Sequence, residues 1–577
     1  MGQTVSTTNT TGTNLNATVR QTYESIETIK HRYNVRALRQ FTPTELTSFR
    51  SLLNVEQVSV TDPLTDEQVI RLLRLPPTDK EFIEVMNPLF NMLQILSNFP
   101  FINRPFESIS GVGLLKCILL ANPTRCKRYV NLKTYDQTKL LFIALGRNAF
   151  EKIELSSMQT ATECDCTELI RTFDDVVVDE LEVYSDTMLL FLTWLLILSV
   201  KCPTDNCKLD LSTLYDEWSE FKTCARWILR SILRRDEATG TYREVIRYTE
   251  FKEAVDTIIP RVFRPLSMLL EHLLFIDSDL KTTTNATLET NFENVSKGEV
   301  LTHALYAQLL MCVPRQFELQ KIHKLYSSKT HGFSMREIQS KTFKFRAPTL
   351  LLVSGSRIDN DETYAKTKNR QYGQFLREYP KLKQEDQQLE ECYLRKGKLI
   401  YAVLIKEPWQ ITNKSYFGGE HTTIIQLSPR LDIYNANQSD VVYFNTLGGG
   451  IGIGCTQPKL KVNSRKYAPG SISLTIDNAL EFGVFRHTGY GGSFNPSELA
   501  VKRAEQDRIF EIKFTIRHVE IWGLADEKVL EEQRRELMWE EAESKRRQSV
   551  NLRMMSEDRA LLEMAGLIGR RMSGGSI

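Results

Sequence analysis

The sequence is poor in the features that announce chemistry. Ten cysteines are spread over 577 residues, without a pair of C-x-x-C knuckles and without a histidine pair at zinc spacing. The thiols therefore read as free cysteines in a reducing compartment. The close pairs Cys164/Cys166 and Cys202/Cys207 leave a four-cysteine zinc site as the alternative. No G-x-S-x-G elbow occurs, and His303, His323, His331, His421, His487 and His518 fall into no catalytic triad. His421 beside Glu420 reads as a solvated turn histidine. A dominant charge is also missing: 74 Lys and Arg face 72 Asp and Glu, for a net +2. Direct nucleic-acid binding, which usually shows as a basic face, is not expected. No apolar run reaches the roughly 20 residues of a membrane span. The greasiest, "MLLFLTWLLILSV" at 188–200, is bounded by Asp186 and Lys201 and reads as a core helix. The first residues are polar rather than basic then apolar, so no secretory leader is expected.

What is present supports folded cores in two or more domains, with 41% hydrophobic and 25% charged residues. The chain opens Met1-Gly2-Gln3-Thr4-Val5-Ser6, the pattern for N-myristoylation at Gly2. Residues 1–19 are Thr/Asn-rich and read as a flexible tether. One acyl chain gives only marginal, reversible membrane contact. No cysteine lies near the terminus for palmitate, and the nearby cations are diluted by acids. Stable membrane association thus calls for a membrane-bound protein partner.

Residues 20–285 show helical spacing throughout, with a polar, acidic insertion at 152–180. "VIRYTEFKEAV" has the rhythm of an EF-hand exit segment ending a loop at Glu250. Loop positions one, three and five would be Thr239, Thr241 and Arg243, which cannot hold calcium. A degenerate EF-hand-like helical pair remains as a scaffold reading. A polar linker follows at 286–298. Residues 299–524 begin with one or two helices and continue as short β-like runs separated by turns, the pattern of an antiparallel sandwich or of strongly bent sheets. In the last run Phe510, Ile512, Phe514 and Ile516 alternate, then Val519 and Ile521 switch parity. A bulge or a break at Arg517-His518 would restore their facing. Residues 355–398 form a charged insertion with a short helix at "YGQFLREY". Residues 525–577 form a charged helix and tail. Without Gly or Pro from 525 to 565, the helix would reach ~60 Å, and Glu531/Arg535, Glu541/Lys545 and Glu543/Arg547 are spaced for i,i+4 pairing. Its apolar end suits either a partner or packing back on the β domain. "RRQS" makes Ser549 a candidate phosphosite. The fold class is α+β.

The most conspicuous motif is "YFNTLGGGIGIGCTQP" at 443–458. A dinucleotide fingerprint needs G-x-G-x-x-G opening a helix. Counting from Gly448 the sixth residue is Ile453, and from Gly450 it is Cys455. No lysine precedes Lys459, so a P-loop is excluded too. Gly448, Gly449, Gly450, Gly452 and Gly454 read instead as a strand-turn-strand element that permits close backbone approach or contact with a partner. No cofactor or small-molecule substrate is expected. Cys455 reads as an ordinary loop thiol, but it is the residue on which a thiol-dependent oxidative-stress enzyme would rest.

Five separated motifs resemble the TLDc family, in order: Phe333-Ser334, Pro408-Trp409, Tyr416-Phe417-Gly418, Ser428-Pro429 and Glu520-Ile521-Trp522-Gly523. The glycine run lies among them. The whole chain resembles the fungal restriction of telomere capping protein 5 group. This resemblance implies a β-sandwich of two antiparallel sheets with flanking helices. It implies a cytoplasmic, non-catalytic protein in reversible contact with the vacuolar membrane. The implied partner is the V-type proton ATPase, whose assembly it would regulate, and any influence on telomere capping would be indirect.

Overall fold

The computed structural model describes residues 24–73, 75, 80–101, 108–130, 135–146, 163–164, 181–200, 211–235, 242–274, 295, 298–314, 317, 319, 321–358, 370–382, 397–461, 464–503 and 508–564. The tether with Gly2, most of the linker, the Cys202/Cys207 pair, Cys166 and the tail beyond 564 lie outside the described residues. Contacts divide the chain into two units: Met1–Val69 with Phe90–Leu181, and Ile70–Leu89 with Glu182–Ile577.

The first unit is helical. Ile26–Leu38 and Pro43–Val55 each begin at a hydroxyl cap; Thr42 and Glu45 form a reciprocal capping box. Gly111–Ala121 is buried along its whole length. The rings of Tyr33, Phe99 and Tyr129 meet one another at 5.8–6.0 Å.

In the second unit two short strands, Glu182–Tyr184 and Val245–Arg247, are paired antiparallel. Each runs straight into a helix, Ser185–Val200 and Tyr248–Thr257. The first helix is the apolar run read as a core element, and Met188, Phe191 and Trp194 are all inaccessible. The segment "VIRYTEFKEAV" lies on the second strand and the helix that follows it. Glu250 is buried, accepts from its own cap amide at Arg247, and faces Arg234 and Arg243 at 3.9 and 3.7 Å. A cation would have to compete with those guanidinium groups. Among the described residues no cluster of three or more His, Cys, Asp or Glu is placed to hold a metal.

The β region is one continuous antiparallel sheet folded over on itself. Its strands and hairpin are β1 Ile322–Ser327, β2 Thr349–Arg357, β3 Lys398–Ile405, β4 Thr423–Ser428, β5 Asp432–Asn435, β6 Val442–Asn445, β7 Gly450–Ile453, β8 Thr456–Lys461, β9 Ser464–Ala468, β10 Ile472–Ile476, β11 Phe482–His487 and β12 Phe510–Leu524. Their order is β6-β7-β10-β11-β12-β2-β3-β4-β5, with β1 also on β12, while β8 and β9 form a separate ribbon. Phe485 of β11 stacks on Tyr401 of β3 at 4.9 Å and meets Tyr434 of β5 at 5.4 Å. Strands far apart in the hydrogen-bonding order therefore face each other, and a sandwich results. The resemblance implied two sheets; the layers are instead joined through β12.

That junction is the bulge anticipated from the alternation. The register of β12 with β2 runs Ile516 to Gly355, then His518 to Ser354, so Arg517 is the extra residue. Arg517 points outward and bonds Ser356 Oγ at 2.7 Å, while Phe514, Val519 and Ile521 are all inaccessible. The insertion after β2 contributes the helix Arg370–Glu378, whose Tyr372 and Phe375, with Tyr379, pack on Tyr467 and Phe482.

The C-terminal helix spans Glu527–Met564. Its first turns lie on the sandwich through Val529 and Leu530, and Gln533 Nε2 donates to the Lys341 carbonyl at 2.7 Å. From 541 onward every described side chain is exposed except the half-buried Glu543, so about 36 Å of helix lies beyond the docked part. The first turns thus pack back on the β domain, whereas Leu561, Leu562 and Met564 of the apolar end are exposed. Of the anticipated pairs, Glu543 and Arg547 meet at 3.2 Å.

Deleting Arg517 shifts half of β12 by one residue and should abolish soluble expression. Arg517→Ala keeps the residue count and should move stability by no more than about 0.5 kcal/mol. Thermal unfolding of the two variants checks this.

Candidate functional site

The glycine run is a hairpin. β6 and β7 pair Val442 with Ile453, Tyr443 with Gly452, Phe444 with Ile451 and Asn445 with Gly450. Ile451 and Ile453 turn into the core, as expected from their spacing. The turn amides are engaged internally: Asn445 Oδ1 accepts from Leu447 N at 2.9 Å and Gly449 N at 3.1 Å. Arg465 Nη1 donates to the Gly448 carbonyl at 2.6 Å.

Close approach requires glycine at several of these positions, Gly450 and Gly452 among them. Gly450 has φ +71°, and a Cβ there would lie 2.2 Å from the Ile476 carbonyl oxygen. At Gly452 a Cβ would lie 2.3 Å from the ring of Tyr443, which covers that strand position. Gly448, Gly449 and Gly454 complete the turn and its exit beside Arg465, Asn445 and Ile472. The hairpin is filled by its own neighbours, and the amides of Leu447 and Gly449 are taken by Asn445.

The family-type markers fall into the frame of the sandwich. Ser334 caps the helix Met335–Thr342, and Phe333 beside it is 46% exposed. Trp409, which follows Pro408, is buried; its Nε1 donates to Thr349 Oγ1 at 2.8 Å and its ring meets Phe417 at 5.7 Å. Phe417 exchanges backbone bonds with Val442, and Gly418, at φ +86°, accepts from Asp440 N. Ser428 and Pro429 are joined by a cis peptide bond.

Glu520 has the most demanding position. It is inaccessible, and its carboxylate accepts from the backbone amides of Glu299, Val300 and Leu301 at 2.6, 3.2 and 3.2 Å. A fourth bond comes from Trp522 Nε1 at 3.0 Å. Charge-assisted bonds of this kind are about twice as strong as neutral ones. They tie the entry segment to β12. Gly523 lies against the Phe345 ring.

Two buried charge groups were not evident in the sequence. Arg430 Nε donates to Asp432 Oδ2 at 2.7 Å, Arg503 approaches the other carboxylate oxygen at 3.8 Å, and Arg503 Nη1 donates to the Ser231 carbonyl at 2.9 Å. Ser231 Oγ and Arg230 Nη1 bond the Leu431 and Pro429 carbonyls, so the helix Leu211–Ile232 is fixed to the start of β5. Arg486 and Lys513 pair with the buried Glu511. The i,i+2 spacing of Arg430 with Asp432, and of Glu511 with Lys513, is the signal a strand reading could have used.

Cys455 is buried just beyond β7 and lies 3.2 Å from Thr475 Oγ1. Burial pushes its thiol up, against the pull of that hydroxyl. A reactive thiol needs the opposite setting, electropositive and accessible. His421 is exposed. Ser549 is exposed on the outer part of the C-terminal helix, and its Oγ donates to the Arg546 carbonyl. Two cavities of about 200 and 210 Å³, the second lined by Glu378, Arg465 and Asp477, are smaller than usual small-molecule sites.

Glu520→Ala leaves four donors without this acceptor, three of them buried, and should cost about 3–5 kcal/mol in denaturant unfolding. Site-resolved alkylation of the native protein should leave Cys455 unlabelled until it unfolds; rapid labelling would contradict its burial.

The TLDc domain family matches residues 294–525. Restriction of telomere capping protein 5 of Saccharomyces cerevisiae strain YJM789 is 45% identical over 548 residues, covering 94% of this chain and 95% of that protein. The protein of the same name from Zygosaccharomyces rouxii is 44% identical over 94% of this chain and 96% of its own length. That from Lachancea thermotolerans is 42% identical, over 96% and 97%. The chain belongs to the TLDc-domain family, in the group of the yeast restriction of telomere capping proteins.

Proposed function

We propose that this chain is a non-catalytic regulator that works by binding a protein complex at the vacuolar membrane, the V-type proton ATPase, and shifting its assembly. It would be cytoplasmic, with a myristoylated Gly2 adding reversible membrane contact. An effect on telomere capping, as in the name of the yeast relatives, would be indirect.

The observation that carries this reading is the C-terminal helix. It is anchored to the TLDc domain by its first turns, yet it exposes Met538 and Trp539 (70% and 68%) and continues outward for more than twenty residues. Exposed tryptophan is the kind of anchor that dominates protein interfaces. The filled glycine hairpin and the buried Cys455 give a catalytic reading no corresponding support.

Affinity purification of the full chain from gently solubilised vacuolar membranes tests the proposal. Pump subunits should co-purify with the wild type, and truncation before residue 541 or Trp539→Ala should reduce recovery at least tenfold. Absence of the pump from the wild-type preparation would end this reading.

A further inference from the structure

One end of the sandwich gathers three interlocked segments. The loop 410–416 is tied to the glycine turn by Thr446 N donating to Asn413 Oδ1 at 2.9 Å. Gln457, at the base of the β8–β9 ribbon, donates to the Ser415 carbonyl at 2.9 Å, and its amide donates to Tyr416 Oη at 2.9 Å. Arg465 on the ribbon closes the triangle through the Gly448 carbonyl. The loops are thus fixed in place by hydrogen bonds.

What they expose is unusual for a free surface. Leu447 is 65% exposed at the tip of the turn and Ile411 45% exposed on the neighbouring loop. Lys459 and Lys466 are direct cross-strand partners on the ribbon, and both are exposed. Like charges placed opposite each other destabilise a ribbon unless something anionic lies against them. Lys414, on the loop that carries Ile411, is exposed as well. None of the three lysines has an ion-pair partner among the described residues. Arg465, a further cation of the ribbon, is committed to Glu378 at 3.1 Å.

We propose that this end of the sandwich docks on an anionic membrane surface. Ile411 and Leu447 enter the headgroup region while Lys414, Lys459 and Lys466 meet lipid phosphates and carboxylates. Charge complementarity argues for an anionic occupant, and aliphatic side chains on loop tips argue for a lipid interface. The inference rests on the reading of a protein that works at a membrane. It supplies the second attachment that a single acyl chain requires.

The test is sedimentation of the full, unmyristoylated chain with vesicles of phosphatidylcholine, alone or with added phosphatidylserine. Binding should require phosphatidylserine and weaken as salt rises. The combined variant K414Q/K459Q/K466Q should bind about a hundredfold more weakly, and each single lysine variant about fivefold. I411S/L447S should bind about tenfold more weakly with its salt dependence kept. All five side chains are exposed, so unchanged thermal unfolding of the variants verifies their fold. Equal binding to neutral and anionic vesicles, or a triple variant that binds like the wild type, would overturn the proposal. So would a triple variant that keeps vesicle binding but loses the pump in detergent, because the face would then belong to a protein. The vesicles carry no pump, so failure here is distinct from failure of the pump reading.

Discussion

Strand β12 must present apolar side chains to a common core from both layers of the sandwich. A strict two-residue period cannot do so once the strand bends from one layer into the other. Arg517 supplies the extra residue, and its outward side chain is the visible consequence. Nearly everything else hangs on this strand. β11 pairs with its first half, β2 runs along most of its length, and β1 closes its end. The glycine hairpin is held in turn by β10, which is held by β11.

Charge then fixes what backbone pairing leaves loose. Glu520 draws the amides of residues 299–301 onto the sheet, and the Arg430–Asp432–Arg503 group holds a helix from 200 residues earlier against the start of β5. Buried ions are weak contributors to net stability but severe penalties for wrong partners. Both groups therefore act mainly to specify which segments dock. The same logic runs in reverse on the loop end of the sandwich, where Lys459 and Lys466 oppose each other with no ion-pair partner among the described residues.

The sequence disclosed features whose physics is local. The slip at Arg517-His518 was visible because alternation has a two-residue period, and the glycine hairpin because no helix follows the run. The apolar helix Ser185–Val200 was visible from its length between two charges. Features that depend on distant segments were not visible. "VEIWGL" marks Glu520 as a family motif but not as the acceptor for three amides some 220 residues away. An amphipathic pattern in the helix Leu211–Ile232 says that one face is covered, not that Pro429 and Leu431 cover it. The division of the C-terminal helix into a docked and a free half was hidden too, since its charge pattern hardly changes along its length. The lipid signal at Gly2 and the tether lie outside the described residues.

The conspicuous motifs are spent on architecture, and in the proposed function the work falls to exposed surface. Hydrogen–deuterium exchange on the full chain, with and without purified vacuolar membranes, tests that claim most directly. Protection should appear at 410–416, at 446–449 and along the outer C-terminal helix, with the core of β12 unchanged. Protection confined to residues 470–490, or none in any of the exposed segments, would contradict it.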